Sequence, residues 1–314
     1  MIEVKSLSRY YGDFLAVDQL SFKARPGEIL GLLGPNGAGK TTTMRMLTGY
    51  LPPSSGTALI DNHDIVNDSV EARKRIGYLP ERVPIYPDMT VRGYVLFWAQ
   101  LRGTKNAKSR TDTVLKQFDL YTRKDKLVRQ LSKGMRQRLG LAQALVHEPP
   151  VLILDEPTIG IDPQQVIEVR DVVRELGKKH TILLSTHILS EAEEICDRVL
   201  IINQGKIITQ GTPQQLQKEI RSVQYFVRVG GGKTAKVREL LQSIPGVAEV
   251  SPEKQGFLVQ AAANEDLRAA ISTSIVNAGY TVLEIHQRHS SLEDIFIEAI
   301  KTSPTAERSP KAKR

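Results

Sequence analysis

The segment Gly34-Pro35-Asn36-Gly37-Ala38-Gly39-Lys40-Thr41 constrains this chain more than any other. It fits the glycine-rich phosphate-loop pattern, in which such a turn ends in Gly-Lys-Thr and joins a strand to a helix. An apolar run from Ile29 to Leu33 precedes it, and good helix formers from Thr42 to Leu47 follow. Glycines reach backbone angles that other residues resist, so consecutive N–H groups can turn inward. The helix that follows points its positive end at the same spot. The pattern therefore predicts a nucleoside-triphosphate site. The backbone from Gly34 to Thr42 cradles the phosphates, Lys40 reaches the β- and γ-phosphates, and the Thr41 hydroxyl ligates Mg²⁺.

Around the loop, apolar runs alternate with helical periodicity. Residues 2–7 and 14–25 read as strands, with Tyr10-Tyr11 between them and a turn at Gly12-Asp13. Residues 28–33 read as the buried strand that feeds the loop, 57–61 and 76–79 as further strands, and 70–75 as a short helix. Val151-Leu152-Ile153-Leu154 is a continuous apolar run that ends in Asp155 and Glu156, as expected of a strand buried on both faces of a parallel sheet. Strands at 181–185 and 199–203 alternate with helices at 163–178 and 188–196. That order specifies a layered α/β fold of the phosphate-loop NTPase type. Residues 88–148 form a helical subdomain inserted between its halves. Tyr94, Phe97, Trp98 and Leu101 fall on one apolar helix face there. A second helix begins near Ser132, buries Met135, Leu139, Ala142 and Val146, and stops at Pro149-Pro150.

Beyond a helix opened by Thr212-Pro213, the pattern resets near residue 221. Strands at 223–229, 247–251, 256–261 and 280–285, with helices at 235–244 and 265–278, follow the ferredoxin-like order β-α-β-β-α-β. A last helix opens with the capping box of Ser290 and Glu293 and presents Leu292, Ile295, Phe296, Ala299 and Ile300. The division read from sequence is a nucleotide-binding domain over 1–221, an accessory α+β domain over 222–300 and a basic, disordered tail over 301–314. In that tail Lys301, Arg308, Lys311, Lys313 and Arg314 stand against Glu307 alone, so much of the formal net charge of +8 is a solvated end. Cys196 is the one cysteine, which excludes an internal disulfide and suits a reducing cytoplasm. No apolar run approaches the length needed to span a bilayer.

Asp155 and Glu156 sit where ligands bind in open α/β sheets, at the carboxyl end of a strand. Asp155 is expected to hold Mg²⁺ through a bound water, and Glu156, the next carboxylate, to aim the attacking water. Leu131-Ser132-Lys133-Gly134-Met135-Arg136-Gln137-Arg138 resembles the signature motif of the ATP-binding cassette (ABC) ATPases, with Lys133 and Met135 departing from its usual residues. Glu156-Pro157-Thr158-Ile159-Gly160-Ile161-Asp162-Pro163 resembles the segment from that family's catalytic glutamate through its D-loop. Ser185-Thr186-His187 resembles its switch histidine, and Tyr11 the aromatic that stacks on adenine. At the station after Tyr78-Leu79-Pro80, where the family has a glutamine, this chain has Glu81, expected still to face the metal.

The resemblance implies an Mg²⁺-dependent ATPase with Lys40, Glu156 and His187 as catalytic groups. It implies a head-to-tail homodimer in which Ser132, Gly134 and Asp162 of one copy face ATP held by the other. It also implies a separate integral-membrane permease, contacted near Val83-Pro84-Ile85-Tyr86 at the cytoplasmic face of the membrane. The β-α-β-β-α-β region and the segment from Ser291 to Phe296 resemble export-type subunits that pair with type-two permeases. The alternatives are a soluble ABC ATPase acting on ribosomes or nucleic acid, and a nucleotide switch with negligible turnover.

Overall fold

The structure is a computed structural model that describes residues 1–219, 224–231, 234–262 and 266–288. Met1–Pro213 forms one compact unit, and a second begins at Gln214. The final helix expected from Ser290 onward and the basic tail lie outside the described residues.

The first unit opens with β1 (Ile2–Tyr11), β2 (Phe14–Ala24), β3 (Ile29–Leu33), α1 (Lys40–Leu47), β4 (Ser55–Ile60), β5 (His63–Asp64), α2 (Ser69–Lys74) and β6 (Ile76–Leu79). β2, β1, β4 and β5 make an antiparallel sheet in that order. β1 runs past the limit read from sequence. Its alternation breaks at Ser6, where φ is 46° and the register with β2 shifts between Val4 and Leu7. Pairing resumes beyond this bulge and carries the strand through Tyr10 and Tyr11.

The chain continues with α3 (Val91–Leu101), α4 (Ala107–Gln117), α5 (Lys133–Leu145), β7 (Val151–Asp155), α6 (Pro163–Gly177), β8 (Thr181–Thr186), α7 (Leu189–Ile195), β9 (Arg198–Asn203) and β10 (Lys206–Gly211). The main sheet has the order β10-β9-β3-β8-β7-β6, parallel except for the antiparallel edge strand β10. β10 escapes a periodicity reading because it follows β9 through a tight turn at Gln204-Gly205, both at positive φ. Every position of β3, β7 and β8 is buried, which matches their lack of polar alternation. Leu30, Leu32, Ile153 and Leu183 from this sheet join Ile2, Leu7, Leu20 and Ile60 from the antiparallel sheet in one core. Each such side chain contributes about 1.5–3 kcal/mol by leaving water. Because β7, β8 and β3 are neighbours, the loops leaving their carboxyl ends must converge.

In the inserted helices the apolar face is not the one the aromatics suggest. Phe97 and Leu101 are exposed at 37% and 63%. The buried stripe of α3 is Val91, Tyr94, Val95 and Ala99, one position around the helix. Ala99 is too small to weigh in a reading of bulky residues, yet it seats the helix. Phe97 instead meets the ring of Tyr86 edge-on at 5.8 Å. α5 begins after Ser132 as expected and is buried throughout from Leu139 to Leu145, while Met135 is only half-buried.

After α8 (Pro213–Glu219), the second unit comprises β11 (Gln224–Gly230), α9 (Thr234–Gln242), β12 (Val247–Glu253), β13 (Gly256–Ala261), α10 (Arg268–Asn277) and β14 (Thr281–Arg288). Its strands form an antiparallel sheet in the order β12-β13-β11-β14, the split β-α-β-β-α-β arrangement. Val237, Leu241, Ile271 and Ile275 of the two helices pack on Tyr225, Val227, Val250 and Val259, giving this unit its own core.

Candidate active site

The phosphate loop is shaped by contacts that leave no room for side chains. A Cβ at Gly34 would lie 2.5 Å from the Ile202 carbonyl oxygen. Gly39 has φ of 105°, and a Cβ there would lie 2.7 Å from the Ala16 carbonyl oxygen. Glycine alone meets both demands at Gly39. α1 starts at once, so its free N–H groups open toward the loop.

A cavity of about 550 Å³ lies over this loop. Pro35, Asn36, Gly37, Ala38, Gly39, Lys40, Thr41 and Thr42 line its floor, with Glu81, Glu156, Ile159 and His187 on one side and Tyr11, Phe14 and Ala16 on another. Tyr11 and Phe14 are paired across the β1–β2 hairpin and exposed at 44% and 65%. They offer ring faces to a flat, apolar ligand part. Phe14 carries no motif, so no local pattern in the sequence marks it.

Polar contacts link the converging loops. The Lys40 ammonium is buried and donates to the carbonyl oxygens of Gly34 at 2.8 Å and Pro35 at 3.3 Å. The Glu156 carboxylate stands 3.5 Å from it. The second oxygen of Glu156 accepts from His187 Nδ1 at 2.7 Å. Glu156 itself sits at φ of 50°, a left-handed conformation that costs a non-glycine residue about 1–2 kcal/mol. Its N–H holds it there by donating to Ser185 Oγ at 3.0 Å and to the Ser185 carbonyl at 3.2 Å.

Asp155 lies just beneath. Its Oδ1 accepts from Ser185 Oγ at 2.6 Å and from Thr41 Oγ1 at 3.3 Å. Its Oδ2 is buried without a partner among the described residues. Burial raises the Asp155 pKa, the two hydroxyls oppose the rise, and the carboxylates of Glu156 and Glu81 add to it. A buried carboxylate oxygen that lacks a donor and sits among other carboxylates calls for a cation. Thr41, Asp155 and Glu81 are hard oxygen donors, so the residues present fit Mg²⁺. In the sequence Ser185 is distinguished only by its place before the switch histidine, yet it joins Asp155 to Glu156.

Five expected site residues do not line the cavity: Gly34 and Asp155, which bond to Lys40 and Thr41 of its lining, and Ser132, Gly134 and Asp162, which stand apart from it. Ser132 caps α5, accepting from Met135 N at 3.3 Å, and is exposed. Asp162 caps α6, accepting from Gln165 N at 3.0 Å. The Gln165 side chain lies directly on Gly134, leaving no space for a Cβ. Signature and D-loop are thus gathered by Gln165, apart from the cavity of their own chain.

Comparison with known proteins decides the family. Residues 17–159 match the ABC transporter family, and residues 211–300 match the C-terminal domain of DrrA1-3-like ATP-binding proteins. A Nod factor export ATP-binding protein I of Burkholderia lata is 36% identical over 300 residues, covering 94% of this chain and 95% of that protein. This chain belongs to the ATP-binding subunits of ABC transporters. A daunorubicin resistance ATP-binding protein of Streptomyces coeruleorubidus is similar to this ABC subunit at 34% identity over 301 residues, 94% of each chain. Among solved structures, the ATP-binding subunit of an ABC transporter superposes with a TM-score of 0.64 at 32% identity, covering 70% of this chain and 92% of that one. Membership brings ATP binding and, at the level of the family, ATP hydrolysis.

Proposed function

We propose that this ABC subunit hydrolyses ATP in an Mg²⁺-dependent reaction and couples it to export through a separate membrane permease. The observation that carries the reading is the convergence of Lys40, Glu156 and His187, from three adjacent strand ends, on one cavity floored by the phosphate loop, with Asp155 joined to that loop through Thr41. Thr41 and Asp155 would hold Mg²⁺, with Glu81 facing it, and the ion would offset phosphate charge. Tyr11 and Phe14 receive the base, and the loop backbone from Gly34 to Thr42 receives the phosphates.

The chain's own groups divide the remaining work. Lys40 exchanges its two carbonyl acceptors for phosphate oxygens, a stronger pairing with a charged acceptor. That exchange also draws it from Glu156, whose carboxylate becomes the free base that orients water. His187, donating through Nδ1 to Glu156, fixes the carboxylate's orientation beside the γ-phosphate.

Ser132, Gly134 and Asp162 lie away from their own chain's cavity, which supports a head-to-tail homodimer in which each copy closes the other's site. The likeness to Nod factor export and daunorubicin resistance proteins supports export. Among the described residues no helix is long and apolar enough to cross a membrane. ABC ATP-binding subunits work with membrane permeases, and in this reading the chain joins such a permease from the cytoplasmic face. We assign the cassette to residues 1–221, with its helical subdomain at 88–148, and the accessory domain to 222–300.

Steady-state ATPase assays on Glu156→Gln test the chemistry. Binding of a fluorescent ATP analogue should persist while turnover falls at least about 10²-fold, in the range of a lost general base. A Glu156→Gln protein that turns over like the wild type would overturn the assignment.

A further inference from the structure

A buried carboxylate outside the described machinery ties two catalytic loops together. Glu191 lies in the first turn of α7 and is 2% exposed. Its Oε2 accepts from Thr158 Oγ1 at 2.6 Å and lies 3.4 Å from Thr186 Oγ1. Its Oε1 lies 3.6 Å from Arg170 Nη2 on α6. Thr158 is buried two residues after Glu156, and Thr186 is buried immediately before His187. One carboxylate oxygen therefore receives a hydroxyl from each of the two segments that carry the candidate base and its histidine.

We infer that Glu191 is a positioning residue for ATP hydrolysis, setting the spacing between the Glu156 and His187 segments. The inference rests on the ATPase reading of the same site. The two segments are joined at three levels. Glu156 N donates to Ser185, His187 Nδ1 donates to Glu156, and Glu191 bridges Thr158 and Thr186. The first two joints involve Glu156 itself, whose carboxylate must be released from Lys40 when phosphate arrives. Glu191 touches neither the cavity nor Lys40, so its joint persists through that exchange. It is also anchored from outside, because Arg170 faces Glu191 and donates to Glu194 at 2.9 Å. The Thr186 hydroxyl further accepts from Ile188 N at 3.0 Å, which fixes the turn containing His187.

Losing this carboxylate leaves two buried hydroxyls and a guanidinium without their shared acceptor, and Glu156 and His187 without lateral support. A displacement on the order of 1 Å at a reacting group costs about 10²-fold in rate. The phosphate loop is untouched, so nucleotide affinity should hold. The test compares Glu191→Ala, Glu191→Gln and Thr158→Ser with wild type in steady-state ATPase kinetics and in binding of a fluorescent ATP analogue. Glu191→Ala should lower kcat by about 10²-fold with KM for ATP within about threefold. Glu191→Gln and Thr158→Ser, which keep an acceptor and a hydroxyl, should recover most of kcat. Unchanged kcat in Glu191→Ala would overturn the inference, as would parallel loss of kcat and nucleotide binding, the mark of a merely structural residue. If Glu191→Ala fails to fold, Thr158→Val replaces it with the same expectations. A wild-type protein that binds but does not hydrolyse ATP would instead refute the ATPase reading.

Discussion

Removing the Ser185 hydroxyl isolates the arrangement beneath the phosphate loop. Ser185 Oγ donates to Asp155 Oδ1 at 2.6 Å and accepts from Glu156 N at 3.0 Å. Asp155 is 1% exposed, and among the described residues its carboxylate has one other donor, Thr41. A hydrogen bond to a charged group contributes about 1.5–3 kcal/mol. In Ser185→Ala that contribution to the ionised carboxylate is lost, so the already raised pKa of Asp155 rises further. At 1.4 kcal/mol per decade the loss corresponds to a weakening of Mg²⁺ binding by roughly 10–100-fold, the range seen for partners of metal ligands. Glu156 N keeps the Ser185 carbonyl at 3.2 Å, so the backbone of the base should stay in place. The assay is ATPase rate against Mg²⁺ concentration at fixed ATP. The half-saturating Mg²⁺ concentration should rise while the rate at saturating Mg²⁺ falls much less. Wild-type Mg²⁺ dependence in Ser185→Ala would refute the argument that this hydroxyl sustains the charge on Asp155.

Three further outcomes follow from the same structure. Glu81→Gln replaces a charged oxygen donor facing the ion by a neutral one, so its Mg²⁺ requirement should rise by about tenfold in the same titration, and an unchanged requirement would refute a role at the metal. Gly39→Ala places a Cβ 2.7 Å from a carbonyl oxygen at φ of 105°; it should cost about 1–3 kcal/mol and abolish nucleotide binding, read by urea unfolding and analogue fluorescence. Burial, with help from Arg102 and Arg110, lowers the pKa of His147 to about 4, against the hydrogen bond it makes to the Ile76 carbonyl at 3.0 Å. Between that pKa and the unfolded value near 6.5 the unfolded chain holds a proton that the folded chain lacks, so stability rises with pH across this window. His147→Gln should remove about 2–4 kcal/mol of the stability lost on acidifying from pH 7 to pH 4, measured by urea titration at each pH.

Much of the site was legible because its chemistry demands particular residues at short spacing. The phosphate loop, the carboxylate pair after β7 and the histidine after β8 are each continuous in the chain, and the structure brings Lys40, Thr41, Glu81, Asp155, Glu156, His187 and Tyr11 into one neighbourhood. Residues whose role is a long-range contact gave no such sign. Phe14 joins the cavity only because the β1–β2 register sets it opposite Tyr11. Glu191, in the sequence, is one acid on an acidic helix; burial and three neighbours distinguish it from Glu193 and Glu194. The face of α3 was misread for a related reason, since periodicity marks apolar residues but packing decides which of them meet the core.

By itself the sequence determined the order of the longer strands and helices, though not β5 or β10, the succession of two folding patterns along the chain, and the phosphate-binding loop. These depend on local periodicity and on backbone angles that few residues reach. Only the tertiary structure decided that β3, β7 and β8 lie side by side, that one Asp155 oxygen has no partner among the described residues, and that Ser132, Gly134 and Asp162 stand apart from the cavity of their own chain. Strand order and burial arise from contacts between residues more than a hundred positions apart, such as Thr41 with Asp155, and no local pattern encodes those distances.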